Sequence, residues 1–220
     1  LKKPPAVEIR FQGIREDSGL SALLQERIES ASAYLENHAN FVYHPEDTIH
    51  CSIVEYVLFG GDLAPAAYDL AHHTILVAYY TLIDQPELSK AEQQALAIMR
   101  DGEIVHEITH WYQDERDKYP LWEQGKRGCV YFNRLVPYKG LQIDDACLVA
   151  HNIDPVEYHE QNGAAEIEAL INEQKYWSNE DEYWQGDDTL LKSTRRYIRA
   201  QSHEIELSIQ RFKEYVAAAR

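Results

Sequence analysis

The chain has no long apolar run. Its longest, "ILVAYYTLI" from Ile75 to Ile83, is far too short to span a bilayer, so no membrane-embedded role is expected. The N-terminal stretch "LKKPPAVEIRF" also lacks the apolar core of a secretory signal, although the chain begins at Leu1 rather than Met and so leaves room for a leader already removed. Cysteine is scarce: Cys51, Cys129 and Cys147 are an odd number with no C-x-x-C spacing. That pattern argues against a disulfide framework and against a zinc site built on thiolates, and it favours a reducing, cytoplasmic compartment. Positive charge is scarce as well. Against 37 Asp and Glu stand 21 Lys and Arg, a formal net charge of −16, which repels phosphate backbones and disfavours a nucleic-acid partner. The excess acid reads as solvated surface that serves solubility, with docking of a basic partner as the other explanation. Internal repeats and low-complexity tracts are missing too, and nothing in the sequence fixes an oligomeric state.

What is present is enough for one sizeable core. The 220 residues are 45% hydrophobic and 26% charged, which suits a globular domain with a smaller appendage. "PAVEIRFQG" reads as an opening strand. "SALLQERIESASAYLENH" reads as an amphipathic helix capped near Ser18 or Ser21, with Leu20, Leu23, Leu24, Ile28 and Tyr34 at helical spacing. "FVYH", "TIHCSIVEYVLFGG" and "HTILVAYYTLI" carry the β-branched and aromatic residues of strands. Ser89-x-x-Glu92 has the capping-box pattern and announces a helix that continues through Arg116. From Tyr119 to Pro155 the glycines and prolines break periodicity, so a long irregular connection is expected there. A helix resumes near Asn162 or Gly163 through "AAEIEALINEQKYW", and another spans about Thr189 to Ala219. The expected organisation is a domain over residues 1–178 with a C-terminal helical extension, 179–220, packed on it.

The stretch "GEIVHEITHWYQ", Gly102 to Gln113, lies inside the helix that Ser89 opens. Residues four apart share a helix face, so His106 and His110 can present two imidazoles to one metal ion, with Glu107 beside them to work on a water. Zinc held this way keeps an open coordination position and brings the pKa of a water placed there near neutrality. A chain of this composition would contain H-E-x-x-H by chance in roughly one case in twenty, so the surroundings must decide. Ile108 and Thr109 are uncharged, Ile104, Val105 and Ile108 can anchor the helix in a core, and Gly102, one turn before His106, leaves room for a ring or a substrate. The metzincin pattern is excluded, because Gln113 and Arg116 stand where it needs Gly and His. A di-iron carboxylate bundle is disfavoured, because Glu103-x-x-His106 and Glu107-x-x-His110 share one helix.

On "HEITH" and "AAEIEAL" the sequence resembles the gluzincins, zinc metallopeptidases that complete H-E-x-x-H with a Glu on a later helix. Laying the third-ligand pattern of such families onto "EIEA" makes Glu166 the third ligand and Glu168 its neighbour. Glu160 and Glu157 are competing carboxylates. Many such proteins carry Asp four residues after the ligand to support the first His; here that position is Leu170, so support must come from elsewhere. Tyr158, His159 and Tyr138 are candidates by type for an oxyanion stabiliser. His72 and His73 have no partner at ligand spacing and read as structural or surface residues, and Trp111, Tyr112, Trp122, Tyr131 and Phe132 read as core before cleft.

The resemblance implies an α+β, zincin-like fold: a small mixed sheet packed on the zinc-bearing helix, a second ligand helix, and the C-terminal helical extension. It implies one Zn2+ per chain, held by His106, His110 and Glu166, with Glu107 as the general base acting on a peptide or protein substrate that an edge strand aligns. The competing expectation is a non-catalytic protein that keeps this scaffold and docks a basic partner on its acidic surface.

Overall fold

The structure, a computed structural model, describes residues 4–59, 62–129 and 145–183, together with 203, 206, 207, 209–211, 213, 214, 217 and 218. It is a mixed α+β arrangement. β1 (Ala6–Gln12) leads through α1 (Ser18–His38) into β2 (Thr48–Val54), and a short hairpin, β3 (Val57–Phe59) and β4 (Asp62–Ala64), precedes β5 (Ala66–Asp69) and β6 (Thr74–Ala78). The main sheet has the order β1-β2-β6-β5, with β1, β2 and β6 parallel and β5 antiparallel at the edge. The helices α2 (Lys90–Glu115), α3 (Pro120–Cys129), α4 (Asp145–Ala150) and α5 (Pro155–Tyr183) follow. Among the described residues, no helix is long and apolar enough to cross a membrane.

Local chemistry explains where the elements begin. Asp17, rather than either expected serine, caps α1, its Oδ1 accepting from the Gly19 and Leu20 amides at 2.8 and 3.2 Å. Ser89 and Glu92 form the expected capping box at the start of α2: the Ser89 amide donates to Glu92 Oε2 at 2.8 Å and the Glu92 amide to Ser89 Oγ at 3.3 Å. "FVYH" lies outside any strand, and the apolar run after Ala78 turns into a short 3-10 helix, Tyr79–Thr81.

The core lies between the sheet and the first two helices. Leu24, Ile28, Ala31 and Leu35 form the buried stripe of α1 against Ile49, Cys51, Ile53, Ile75 and Val77 of the sheet, and Ile104, Val105, Ile108 and Trp111 bring α2 into the same cluster. Each such Leu or Ile contributes about 1.5–3 kcal/mol through its burial. α5 packs along α2 through Ala165, Tyr176 and Trp177, which join that cluster. Ile209 is buried in it as well, and Gln174 donates to Glu206 at 3.3 Å, so these two residues of the C-terminal extension touch the core and α5. The rest of the expected helix over Thr189–Ala219 lies outside the described residues.

Further expectations need correction. The connection after Tyr119 is not wholly irregular, because α3 and α4 occupy parts of it. Gly125 sits inside α3 since a Cβ there would overlap the Tyr158 ring, so close packing, not a turn, demands the glycine. α5 starts at Pro155, well before Asn162, with Asp154 Oδ1 accepting from the Val156 amide at 2.8 Å; proline at the first helical position costs no hydrogen bond. Finally, Cys129 and Cys147 form a disulfide, with Cα atoms 5.8 Å apart, while Cys51 is free and buried. The odd count concealed a pair that α3 and α4 bring together in space.

The room at Gly102 is also taken, by the indole of Trp177 from α5 rather than by a ring of the motif or a substrate; a Cβ would overlap it. Gly102→Ala is therefore expected to push α2 and α5 apart and to destabilise the fold by about 1–3 kcal/mol or more. A urea midpoint equal to that of the parent chain would contradict this packing.

Candidate metal centre

Three helices and one strand contribute to the site. His106, Glu107 and His110 stand on α2, a helix fixed by the buried Ile104, Val105, Ile108 and Trp111, and Glu166 faces them from α5. The two imidazole Nε2 atoms lie 3.0 Å apart. Glu166 Oε2 is 3.4 Å from His110 Nε2 and 3.8 Å from His106 Nε2. Metal–ligand bonds of about 2.0–2.1 Å in a tetrahedral set would space such atoms by about 3.3 Å, and the three observed distances bracket that value. These side chains could hold one metal ion.

The far side of each imidazole fixes which nitrogen faces inward. His106 Nδ1 is 3.0 Å from Glu173 Oε2, and His110 Nδ1 is 3.0 Å from Gln113 Oε1. Both partners are acceptors at those atoms, so each Nδ1 carries the proton and each Nε2 turns a lone pair toward its neighbour. Two lone pairs face to face 3.0 Å apart repel unless a cation, a proton or a metal, sits between them. Charge in the site tells the same story. Burial lowers the His106 pKa, but Glu166, Glu173 and Glu107 outweigh it and raise it well above the ordinary value. Burial pushes the Glu166 carboxyl up, yet His110, His106 and Lys126 hold it well below the usual carboxylate range. The site is therefore built for an anionic Glu166 beside a positive charge.

Glu107 differs from these groups. It is buried, its pKa is raised, chiefly by that burial and against the pull of His106 and His110, and its Oε2 accepts from the Tyr68 amide at 2.6 Å. Tyr68 lies on β5, the edge strand, so the outward amide that could have met an incoming peptide is given to Glu107. Its phenol donates to Asp114 Oδ2 at 2.6 Å, so this one residue ties the edge strand to α2 at two points, two helical turns apart. Asp114 also meets Arg127 at 2.8 Å and His73 at 2.8 Å. His72 pairs with Asp69 at 2.8 Å, within the turn between β5 and β6.

The competing carboxylates lie elsewhere. Glu168 meets Lys118 Nζ at 2.6 Å, Gln113 Nε2 at 2.9 Å and the Tyr119 phenol at 3.2 Å. Glu160 lines a cleft with Tyr119, Gln161 and Lys213, and Glu157 is exposed. Of the oxyanion candidates, Tyr158 is buried with Leu148 and Ile153, His159 Nε2 is 2.8 Å from Asp145 Oδ1, and Tyr138 lies outside the described residues. Trp111 and Trp122 are core residues, although the Trp122 ring also flanks His110 at 5.4 Å; Tyr131 and Phe132 lie outside the described residues.

Four contributors escaped the sequence reading: Glu173, Gln113, Lys126 and the Tyr68 amide. Two of them had a signal. Glu173 is seven residues after Glu166, two turns along one helix face, and Gln113 is three after His110. Glu103, beside Glu173, is pushed up to about 8, by burial first and by the Glu173 carboxylate next. Lys126 Nζ, 3.6 Å from Glu166 Oε1, comes from α3, which the sequence had not marked as a helix. Glu173→Gln keeps the shape of the support but removes its charge. It is expected to weaken metal binding by about 10–100-fold, measured by competition with a chromophoric chelator; unchanged affinity would separate Glu173 from the site.

No family model, no curated protein and no solved structure matches this chain.

Proposed function

We propose that the chain is a zinc-dependent metallopeptidase of zincin-like fold and gluzincin type, with His106, His110 and Glu166 as the ligands of one Zn2+ and Glu107 as the general base. The observation that carries this reading is the convergence of two outward-supported imidazoles and one carboxylate on a single point, with a second, buried carboxylate, Glu107, next to His106 on α2. Neutral nitrogen and carboxylate donors in this number suit catalytic zinc and leave one position open. When bound, zinc supplies polarisation of the scissile carbonyl and acidification of water.

The chain's own groups do the rest. Glu107 takes a proton from the attacking water and passes it to the leaving amine, a task its raised pKa suits. The Tyr68 amide holds the acceptor oxygen in place. Glu173 and Gln113 keep both Nε2 lone pairs directed inward. Lys126 faces the outer oxygen of Glu166 and limits the build-up of negative charge. The substrate in this reading is a peptide or protein. A cytoplasmic location belongs to the same proposal and requires the Cys129–Cys147 bond to be open in a reducing compartment.

Purified without chelator, the protein is expected to hold one zinc per chain and to hydrolyse members of a peptide library, losing activity on chelation and regaining it with zinc. Elemental analysis that finds no transition metal after zinc reconstitution would overturn the reading.

A further inference from the structure

Away from this centre, a second group of metal-type donors converges. Cys129 ends α3, Cys147 lies on α4, and His151 follows α4 four residues after Cys147. His151 Nδ1 is 3.7 Å from the sulfur of Cys129 and 3.7 Å from that of Cys147. Zinc bonded to sulfur at about 2.3 Å and to nitrogen at about 2.0–2.1 Å in tetrahedral geometry would space them by about 3.6 Å. The imidazole already stands at both required distances. Its ring lies over Gly128, where a Cβ would come to 3.0 Å of His151 Cδ2 and crowd it. Both cysteines are half-buried and His151 is exposed, so reductant and metal can reach them.

We infer that Cys129, Cys147 and His151 form a second, redox-gated metal site, closed while the cysteines share a disulfide and open to zinc when they are reduced. A dithiol attacks one sulfur, breaks the Sγ–Sγ bond and leaves as its own disulfide, so that two electrons and two protons pass to the cysteines. Zinc then displaces those two protons and binds two thiolates. His151 contributes Nδ1 by turning it from the Cys147 carbonyl oxygen, now 2.9 Å away, with its proton on Nε2. The three donors leave one coordination position to solvent. Thiolate donors of this kind are absent from the centre formed by His106, His110 and Glu166, and the two sites are chemically distinguishable on that ground.

The test compares the whole chain in two states, as purified under air and after reduction with a phosphine removed by anaerobic gel filtration, each loaded with zinc and then desalted. The reduced protein is expected to hold one more zinc than the oxidised protein, and to lose that increment in Cys129→Ser and in His151→Ala. Reduced wild-type protein loaded with Co2+ should show a sulfur-to-cobalt charge-transfer band that the oxidised protein lacks, a readout that needs no variant to fold. The increment is independent of the first centre: if that centre holds no metal, the counts are zero and one rather than one and two. An equal zinc content in both states, no thiolate band, or a bond that resists reduction in the folded chain would each overturn the inference.

Discussion

Glu107→Gln is expected to retain zinc and the fold while peptide hydrolysis falls by roughly a hundred- to ten-thousand-fold. The substitution is nearly isosteric, and the amide oxygen of Gln can still accept from the Tyr68 amide that Glu107 binds at 2.6 Å. The edge strand therefore keeps its anchor. What disappears is a carboxylate able to take a proton from water. Adjacent positions on a helix differ by about 100°, so Glu107 is turned away from the line that joins His106 to His110 and can reach a water without binding the ion. The experiment also separates an enzyme from a non-catalytic scaffold: a hydroxamate inhibitor should lose affinity in this variant if Glu107 works on the zinc-facing group, whereas binding of a basic partner should not change. Full activity of the variant on a confirmed substrate would refute the mechanism, and loss of zinc would make Glu107 a ligand.

The parts of this site that could be read in the sequence are those whose spacing is set by one helix. His106, Glu107 and His110 needed only a helical period, and Ser89 with Glu92 marked the start of that helix by side-chain chemistry alone. α3 was hidden because Gly125 and Gly128 resemble breakers; their small size answers to the Tyr158 and His151 rings lying against them, which is tertiary information. The same blindness removed Lys126 from view. Asp154 and Pro155 did carry a helix-start signal, cap then proline, but Asn162 and Gly163 inside the helix drew the boundary seven or eight residues late. Gly163 is buried in α5. The disulfide illustrates the limit of counting: an odd number of cysteines says nothing about which two meet, and only the placement of α3 beside α4 decides it.

Helix geometry also underlies the second large effect. Glu166→Ala is expected to lower zinc affinity by roughly a thousandfold or more, beyond the ~10–100-fold associated with a supporting group. Glu166 Oε2 is the carboxylate atom facing both Nε2 atoms, at 3.4 and 3.8 Å, and without it two imidazoles alone remain to hold the ion. Glu168 stands about 200° around α5 from Glu166 and is engaged with Lys118, Gln113 and Tyr119. Its replacement by Ala should change affinity only slightly, through the slackened Gln113 behind His110. Glu160→Ala, on a residue lining a different cleft, should leave affinity as it was. Competition titrations of the three variants against one chelator put these effects on a single scale. If Glu168 or Glu160 proves the sensitive position, the ligand helix is misregistered and α5 must present a different face to α2; if none of the three matters, the metal is not held between these helices.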